Sequence, residues 1–222
     1  MTTSVVVTEA TILTPTKGPT LPFAPVEYDR QYADTLNNIL RQYFNTLDNY
    51  TAQLKLSAGG SGAGLYLPYG AFQDSTTQTA ANTTTAYVIT FNTTDFSNGV
   101  TMVSGSRFTV ANAGMYNLQF SVQLQNTTNT PHDIDIWFRK NGTNIPASNS
   151  RFGLAARKNP GDPFHLVGAL NYFVELQASD YVELVWRTGD VGAGIIAYAA
   201  GTSPTRPSIP SVIATLTFVS AI

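Results

Sequence analysis

The chain has 222 residues, enough for one ordinary domain with an appendage and too few for two full-sized domains. Only 12% of the residues are charged, against about 25% in an ordinary globular protein, and the net charge of −2 excludes a strongly basic nucleic-acid footprint. There is no cysteine and no apolar run near the ~18 residues of a membrane span, so neither a disulfide framework nor membrane insertion is expected.

Residues 1–25 read as an extended arm. Val5, Val6, Val7, Ile12 and Leu13 favour β structure, but Pro15, Pro19, Pro22 and Pro25 forbid a long helix or a central strand. Residues 26–56 read as a helix without internal Pro or Gly, with acidic Glu27 and Asp29 in its first turn and no Ser or Thr cap. Tyr28, Tyr32, Leu36, Ile39, Tyr43, Leu47, Tyr50 and Leu54 recur at steps of 3 and 4 and set Tyr28, Ile39 and Tyr50 one 11-residue repeat apart. Such a repeat winds nearly straight or slightly right-handed. The stripe must be covered by something, and residues 57–64, SAGGSGAG, are a flexible joint. A helix packed closely on its own domain rarely needs such a joint, so the helix is read as a self-associating stalk or an anchor in a larger assembly.

Residues 65–222 read as all-β. Between Gly114 and Asn126 the alternation is unbroken: Tyr116, Leu118, Phe120, Val122 and Leu124 fall on one face, and Asn117, Gln119, Ser121, Gln123 and Gln125 on the other. Further strands are expected at 69–72, 87–91, 100–103, 107–110, 133–139, 165–177, 181–187, 195–198 and 212–219. Asn141-Gly142 is a hairpin signal. Short strands at this spacing indicate a sandwich or jelly roll. The final run, with Val212, Ala214, Leu216 and Phe218 on one face, belongs inside a sheet.

Candidate chemistry is sparse. His132 and His165 lie in different strand regions without metal-ligand spacing. No nucleophile motif is present, and no cofactor is expected. Asp133 and Asp135 share a strand face, at a spacing that suits a wet face, a calcium site or a carboxylate pair. Trp137 shares that face and is a candidate for an interface or sugar-stacking role. Arg151, Arg157 and Lys158, in the stretch 147–163, make the most basic part of the chain and suit an acidic host glycan or a neighbouring subunit.

Two family resemblances stand on these residues. The run Phe108-Thr-Val-x-x-Ala-Gly114-x-Tyr116-x-Leu118-x-Phe120, then Lys140-Asn141-Gly142 and Leu176-x-x-x-Asp180-x-Val182-x-Leu184, resembles the C1q/TNF-like jelly-roll superfamily over about residues 70–222. It departs from that pattern at Ser179, where the family usually has Gly. The resemblance implies a jelly roll packed as a homotrimer. The run Leu21-Pro-Phe-Ala-Pro-Val-Glu-Tyr-Asp-x-Gln31-Tyr32, then Leu40-x-x-Tyr43-Phe44-Asn45-x-Leu47-Asp48-Asn49, looks like the opening of virion proteins of tailed phages of marine bacteria and cyanobacteria. Together these lead to an expected all-β, C1q/TNF-like jelly-roll sandwich preceded by an extended arm and one α-helix. The expected role is a non-enzymatic, homotrimeric virion surface protein. Residues 1–56 would contact other virion proteins, and a tail-fibre head would contact a host glycan or protein, or the chain would decorate a capsid. The alternative is a soluble C1q-like recognition module binding carbohydrate or protein.

Overall fold

The computed structural model describes residues 18–56 and 67–222, which fall into two compact units divided between Tyr66 and Leu67. In the first unit residues 18–29 carry no regular secondary structure apart from a bend at 26–27, and one helix, α1, runs over Arg30–Leu56. This start differs from the expected residue 26, and Asp29 is the reason. Its Oδ1 accepts from the Gln31 amide at 2.8 Å and its carbonyl accepts from the Ala33 amide at 3.1 Å. Asp29 is thus the N-cap, a carboxylate doing what a Ser or Thr would do, and the first turn proper holds no acid. Tyr28 consequently stands before the helix, 86% exposed, and drops out of the stripe.

Tyr32, Leu36, Ile39, Tyr43 and Leu47 do line one side of α1 and are half-buried. The Tyr32 hydroxyl reaches the Pro22 carbonyl at 3.5 Å, so the segment before the helix turns back beside the first helical turns. The side chains of Tyr50 and Leu54, arm residues 1–17 and the 57–64 joint lie outside the described residues.

The second unit is an antiparallel sandwich. Sheet A orders β10 (Phe164–Leu176), β6 (Gly114–Asn126), β15 (Val212–Ser220), β1 (Tyr69–Asp74) and β3 (Thr93–Asn98). A short β12 (Ala193–Ile195) continues the β15 row beside the end of β6. Sheet B orders β4 (Val100–Val103), β5 (Arg107–Val110), β11 (Tyr181–Thr188), β7 (His132–Lys140) and β8 (Thr143–Asn144). There β2 (Tyr87–Val88) adds to β11 and β9 (Ser150–Leu154) adds to β7. A small ribbon joins β13 (Gly201–Thr202) to β14 (Thr205–Arg206). Neighbours in both sheets are mostly far apart in sequence, as jelly-roll crossovers require. The expected all-β class with a single preceding helix is the class the chain adopts.

The alternation in β6 decides the core. Tyr116, Leu118, Phe120, Val122 and Leu124 are all buried, and they meet Phe108, Ile136, Phe138, Leu184 and Trp186 of sheet B across one apolar layer. The Tyr116 hydroxyl is satisfied by the Asn112 carbonyl at 2.8 Å. Gly114 is required by proximity: a Cβ there would lie 2.3 Å from the Phe218 ring and 2.8 Å from the Ser220 carbonyl oxygen. As expected, β15 lies inside the sheet, between β6 and β1.

Strand ends moved by one or two residues, and the 87–91 run forms a ladder only at Tyr87–Val88. Ile89 and Phe91 are buried, but the Ile89 amide bonds Leu184 and the Phe91 amide bonds Gly105. The expected strand at 195–198 lies earlier, at Ala193–Ile195, and Tyr198 instead bridges Ile209.

The turn at Gln177–Asp180 shows how the departure at Ser179 is absorbed. Ser179 adopts φ 71°, a left-handed conformation that glycine takes freely and serine does not. Its amide still bonds the Val110 carbonyl at 2.9 Å. Asp180 caps the turn through the Gln177 amide at 2.8 Å and is held by Asn141 and Lys140 at 2.6 and 2.9 Å. Burial pushes the Asp180 carboxyl up, and these three partners together outweigh it, so it titrates below the usual carboxylate value. Ser179→Gly relieves the strained backbone and leaves every one of these bonds in place. It is expected to stabilise the sandwich by about 1 kcal/mol, a rise of about 2–4 °C in thermal midpoint. A midpoint unchanged or lowered would show that the serine side chain stabilises the turn.

Candidate functional site

The two outward faces of the sandwich differ in chemistry. On sheet A the alternation that buries the core strip leaves Asn117, Gln119, Ser121 and Gln123 pointing outward from β6. The register sets Val167, Ala169, Asn171 and Phe173 of β10 on one flank and Ile213, Thr215 and Thr217 of β15 on the other. Across these three strands the outward positions carry one carboxylate, Glu175, and one histidine, His165, at opposite ends of β10. Val167 and Phe173 are 57% and 55% exposed. A depression of about 230 Å³ lies between β6 and β15 at Gln119, Ser121, Ile213 and Thr215. Beside it, the Asn117 Oδ1 is buried without a hydrogen-bond partner. A face this poor in charge, bearing apolar side chains and an unsatisfied amide oxygen, fits a protein surface better than it fits water.

The outward face of sheet B is built from ion pairs. Glu183 on β11 is buried and lies between Arg107 on β5 and Arg139 on β7, at 3.4 and 2.8 Å, with the Ser106 hydroxyl at 3.1 Å. The Arg107 guanidinium also lies over the Tyr181 ring, 4.6 Å from its centroid. Four residues along the β7–β11 ladder, past Trp137, Asp135 on β7 is buried between Arg151 on β9 and Arg187 on β11, at 2.8 and 2.7 Å. Arg151 reaches Asp133 as well, at 3.7 Å.

The sequence-level candidates sort themselves accordingly. Asp133, Asp135, Trp137 and Arg151 do come together, on β7 and β9. Arg157 and Lys158 form no ion pair with them. The Arg157 guanidinium donates to the Thr127 carbonyl at 3.1 Å, and the Lys158 amide closes a short turn onto Asp162. The acidic pair weighed for calcium or for chemistry is instead met by guanidinium groups, which occupy both Asp135 oxygens.

Burial pushes the Asp135 carboxyl up, yet the hydrogen bond and charge of Arg151 and the charge of Arg187 outweigh it and hold it below the ordinary carboxylate value. A carboxyl depressed in the folded state stabilises the fold above its unfolded value, near pH 4, and loses that contribution as the pH falls through its folded value. Urea midpoints are therefore expected to fall more steeply below about pH 4 in the native chain than in Asp135→Asn, which starts about 2 kcal/mol less stable at neutral pH. Parallel curves would remove Asp135 from the acid response.

Between these ion pairs lies Trp137, whose indole N–H donates to Asn144 Oδ1 at 2.9 Å. It borders a groove of about 320 Å³ whose other walls are Asn144, Ile145, Asn149 and the Asp135–Arg187 pair. The groove is shaped by the Asn141-Gly142 turn, with φ 48° and 81°, and by the loop that follows β8. Ser148 ties that loop to β7: its Oγ accepts from the Phe138 amide at 3.1 Å and donates to the Ile145 carbonyl at 2.8 Å. Ala147, beside it, holds φ 58°, unusual for a residue with a Cβ.

Arg187, Asn144, Ile145, Ala147 and Asn149 are the groove residues that sequence reasoning missed. Arg187 was signalled indirectly, since alternation along Tyr181–Thr188 faces Glu183, Val185 and Arg187 outward once Val182, Leu184 and Trp186 face in. The two histidines are structural: His132 meets Thr130 Oγ1 at 2.9 Å, and His165 meets the Tyr198 hydroxyl at 2.7 Å.

No protein-family model matches the chain, and no curated protein matches it. Among solved structures the chain is similar to the globular domain of zebrafish complement 1qA protein, at 14% identity, 71% coverage of this chain, 100% coverage of that one and a TM-score of 0.42.

Proposed function

We propose that the chain is a non-enzymatic, homotrimeric surface protein of a tailed-phage particle, whose N-terminal unit engages the particle and whose sandwich makes binding contacts. The observation that carries the assembly is the outward face of sheet A, uncharged across three strands except at its ends and holding exposed Val167 and Phe173. The likeness of residues 105–139 to C1q/TNF-like domains supports three copies. The likeness of residues 21–49 to tailed-phage virion proteins supports the placement, as does the apolar stripe of α1, which among the described residues of its own unit meets only the short segment before the helix. The arginines engaging Asp133 and Asp135 support a binding role over a catalytic one.

A free-standing recognition module is the second reading, favoured by the preformed groove beside Trp137. Two measurements separate them. Light scattering on the full chain is expected to give about 72 kDa, three chains of 23.9 kDa. Antibodies against residues 67–222 are expected to label intact purified particles. A monomeric mass overturns the assembly, and a protein absent from particles overturns the placement and leaves the second reading.

A further inference from the structure

We propose that the groove bordered by Trp137 is a subsite for one or two rings of a neutral saccharide, an inference that rests on reading the sandwich as a binding module. The lining chooses the ligand class in three steps. First, the indole N–H is already spent on Asn144 Oδ1, so what Trp137 offers a ligand is its flat, apolar face. Such a face, continued by Ile145, suits the C–H side of a pyranose ring.

Second, the polar part of the lining is made of amides. Asn144 gives its oxygen to Trp137 and keeps its NH₂ for a ligand. The Asn149 side chain has no hydrogen-bond partner among the described residues and offers both a donor and an acceptor. Paired donors and acceptors on short, planar groups match hydroxyls, which donate and accept alike.

Third, the charge is balanced. Arg187 and Arg151 are met by two carboxylates, Asp135 between them and Asp133 beside Arg151 at 3.7 Å, so the groove offers no uncompensated cation for an acidic sugar, phosphate or carboxylate. Its volume of about 320 Å³ lies at the lower end of small-molecule sites, about 300–1,000 Å³, which fits one or two rings and excludes a folded peptide.

The walls are also set before binding. Ser148 pins the loop to β7, and Ala147 is held in a left-handed conformation. Little ordering entropy is left to lose when a ligand arrives.

The test uses the full chain and a panel of neutral methyl glycosides and short oligosaccharides of glucose, galactose, mannose and N-acetylhexosamines. Heat of binding is measured by calorimetry, and tryptophan emission is followed in parallel. Trp137 and Trp186 are the two tryptophans, and Trp186 is 1% exposed, so an emission shift reports on the groove. At least one saccharide is expected to bind with a Kd of about 1 mM or tighter, with an emission shift. Trp137→Ala is expected to weaken it at least about tenfold, Trp137→Phe less, and Asn144→Ala by an intermediate factor. Both side chains lie at the surface, and circular dichroism confirms that each of the three variants folds.

No binding across the panel overturns the proposal. So does binding that Trp137→Ala leaves intact, and so does a preference for uronates or sialosides. Saccharide binding by a chain that proves monomeric, or absent from particles, upholds the groove while removing the assembly or the placement. A trimer that binds no saccharide removes the groove alone.

Discussion

Gln119→Lys is expected to shift the solution mass from about 72 kDa to that of the single chain, 23.9 kDa. Gln119 occupies the middle of sheet A's outward face, with Asn171 on one side and Thr215 on the other. A lysine there stays fully hydrated in a monomer, so the fold should survive. In a trimer built on this face the substitution brings three ammonium groups together in a place with no compensating carboxylate. Like charges forced together at an interface cost several kcal/mol, enough to abolish association. Lys158→Glu, on the loop after β9, is the matched control and is expected to leave the mass unchanged. A Gln119→Lys chain that remains trimeric would mean that sheet A faces solvent, and the apolar stripe of α1 would then have to drive assembly by itself.

The second large effect separates the two tryptophans, which stand on adjacent strands of one sheet and point opposite ways. Trp186 faces inward against the Tyr87 ring, 5.8 Å between centroids, and lies opposite Ile136. Trp186→Ala removes the largest fully buried side chain. Large-to-alanine changes of this kind cost about 3–5 kcal/mol, a large share of the ~5–15 kcal/mol that holds an ordinary domain together. Trp137→Ala, on the outward face, is expected to cost under about 1 kcal/mol. Urea unfolding at one fixed protein concentration compares them, since assembly adds a concentration-dependent contribution. Equal losses would contradict the inward and outward assignment.

The fold was legible where burial imposes period two. Tyr116 to Leu124 and Val212 to Phe218 each hide every second side chain, so both strands and their buried faces could be read directly from the residues. The strand β3, TTDFSN, was invisible because every one of its side chains is exposed and nothing in it alternates. β9 was hidden for a related reason: only Leu154 is fully buried, and its role is set by pairing with β7. The helix stripe was correct in its middle and wrong at Tyr28, because an Asp cap stops the helix from extending backward.

For the candidate site, the four residues that share a strand or a register step were found from the sequence. Arg157 and Lys158 were grouped with them by nearness in sequence alone. Alternation along β11 marks Arg187 as outward, but that it meets Asp135, and that Asn144 meets Trp137, follows only once β11 and β8 are known to flank β7. Ion pairs across strands are a property of register, and register is written in the partner strand.

The position of β15 carries a consequence for how the protein is made. It is the last strand in sequence order among the described residues, yet it lies between β6 and β1 and joins the two halves of sheet A. While the ribosome is still adding residues, β6 and β10 can pair with each other, but the β1–β3 pair has nothing to dock on. The row of open backbone groups along β6 waits for a partner encoded about a hundred positions later. At about 5–20 residues per second this interval lasts seconds, during which the edge is open to pairing with another nascent chain. Emergence of β15 is therefore the committing event: until Val212–Ser220 has been made that edge stays unpaired, and the arrival of this strand closes it.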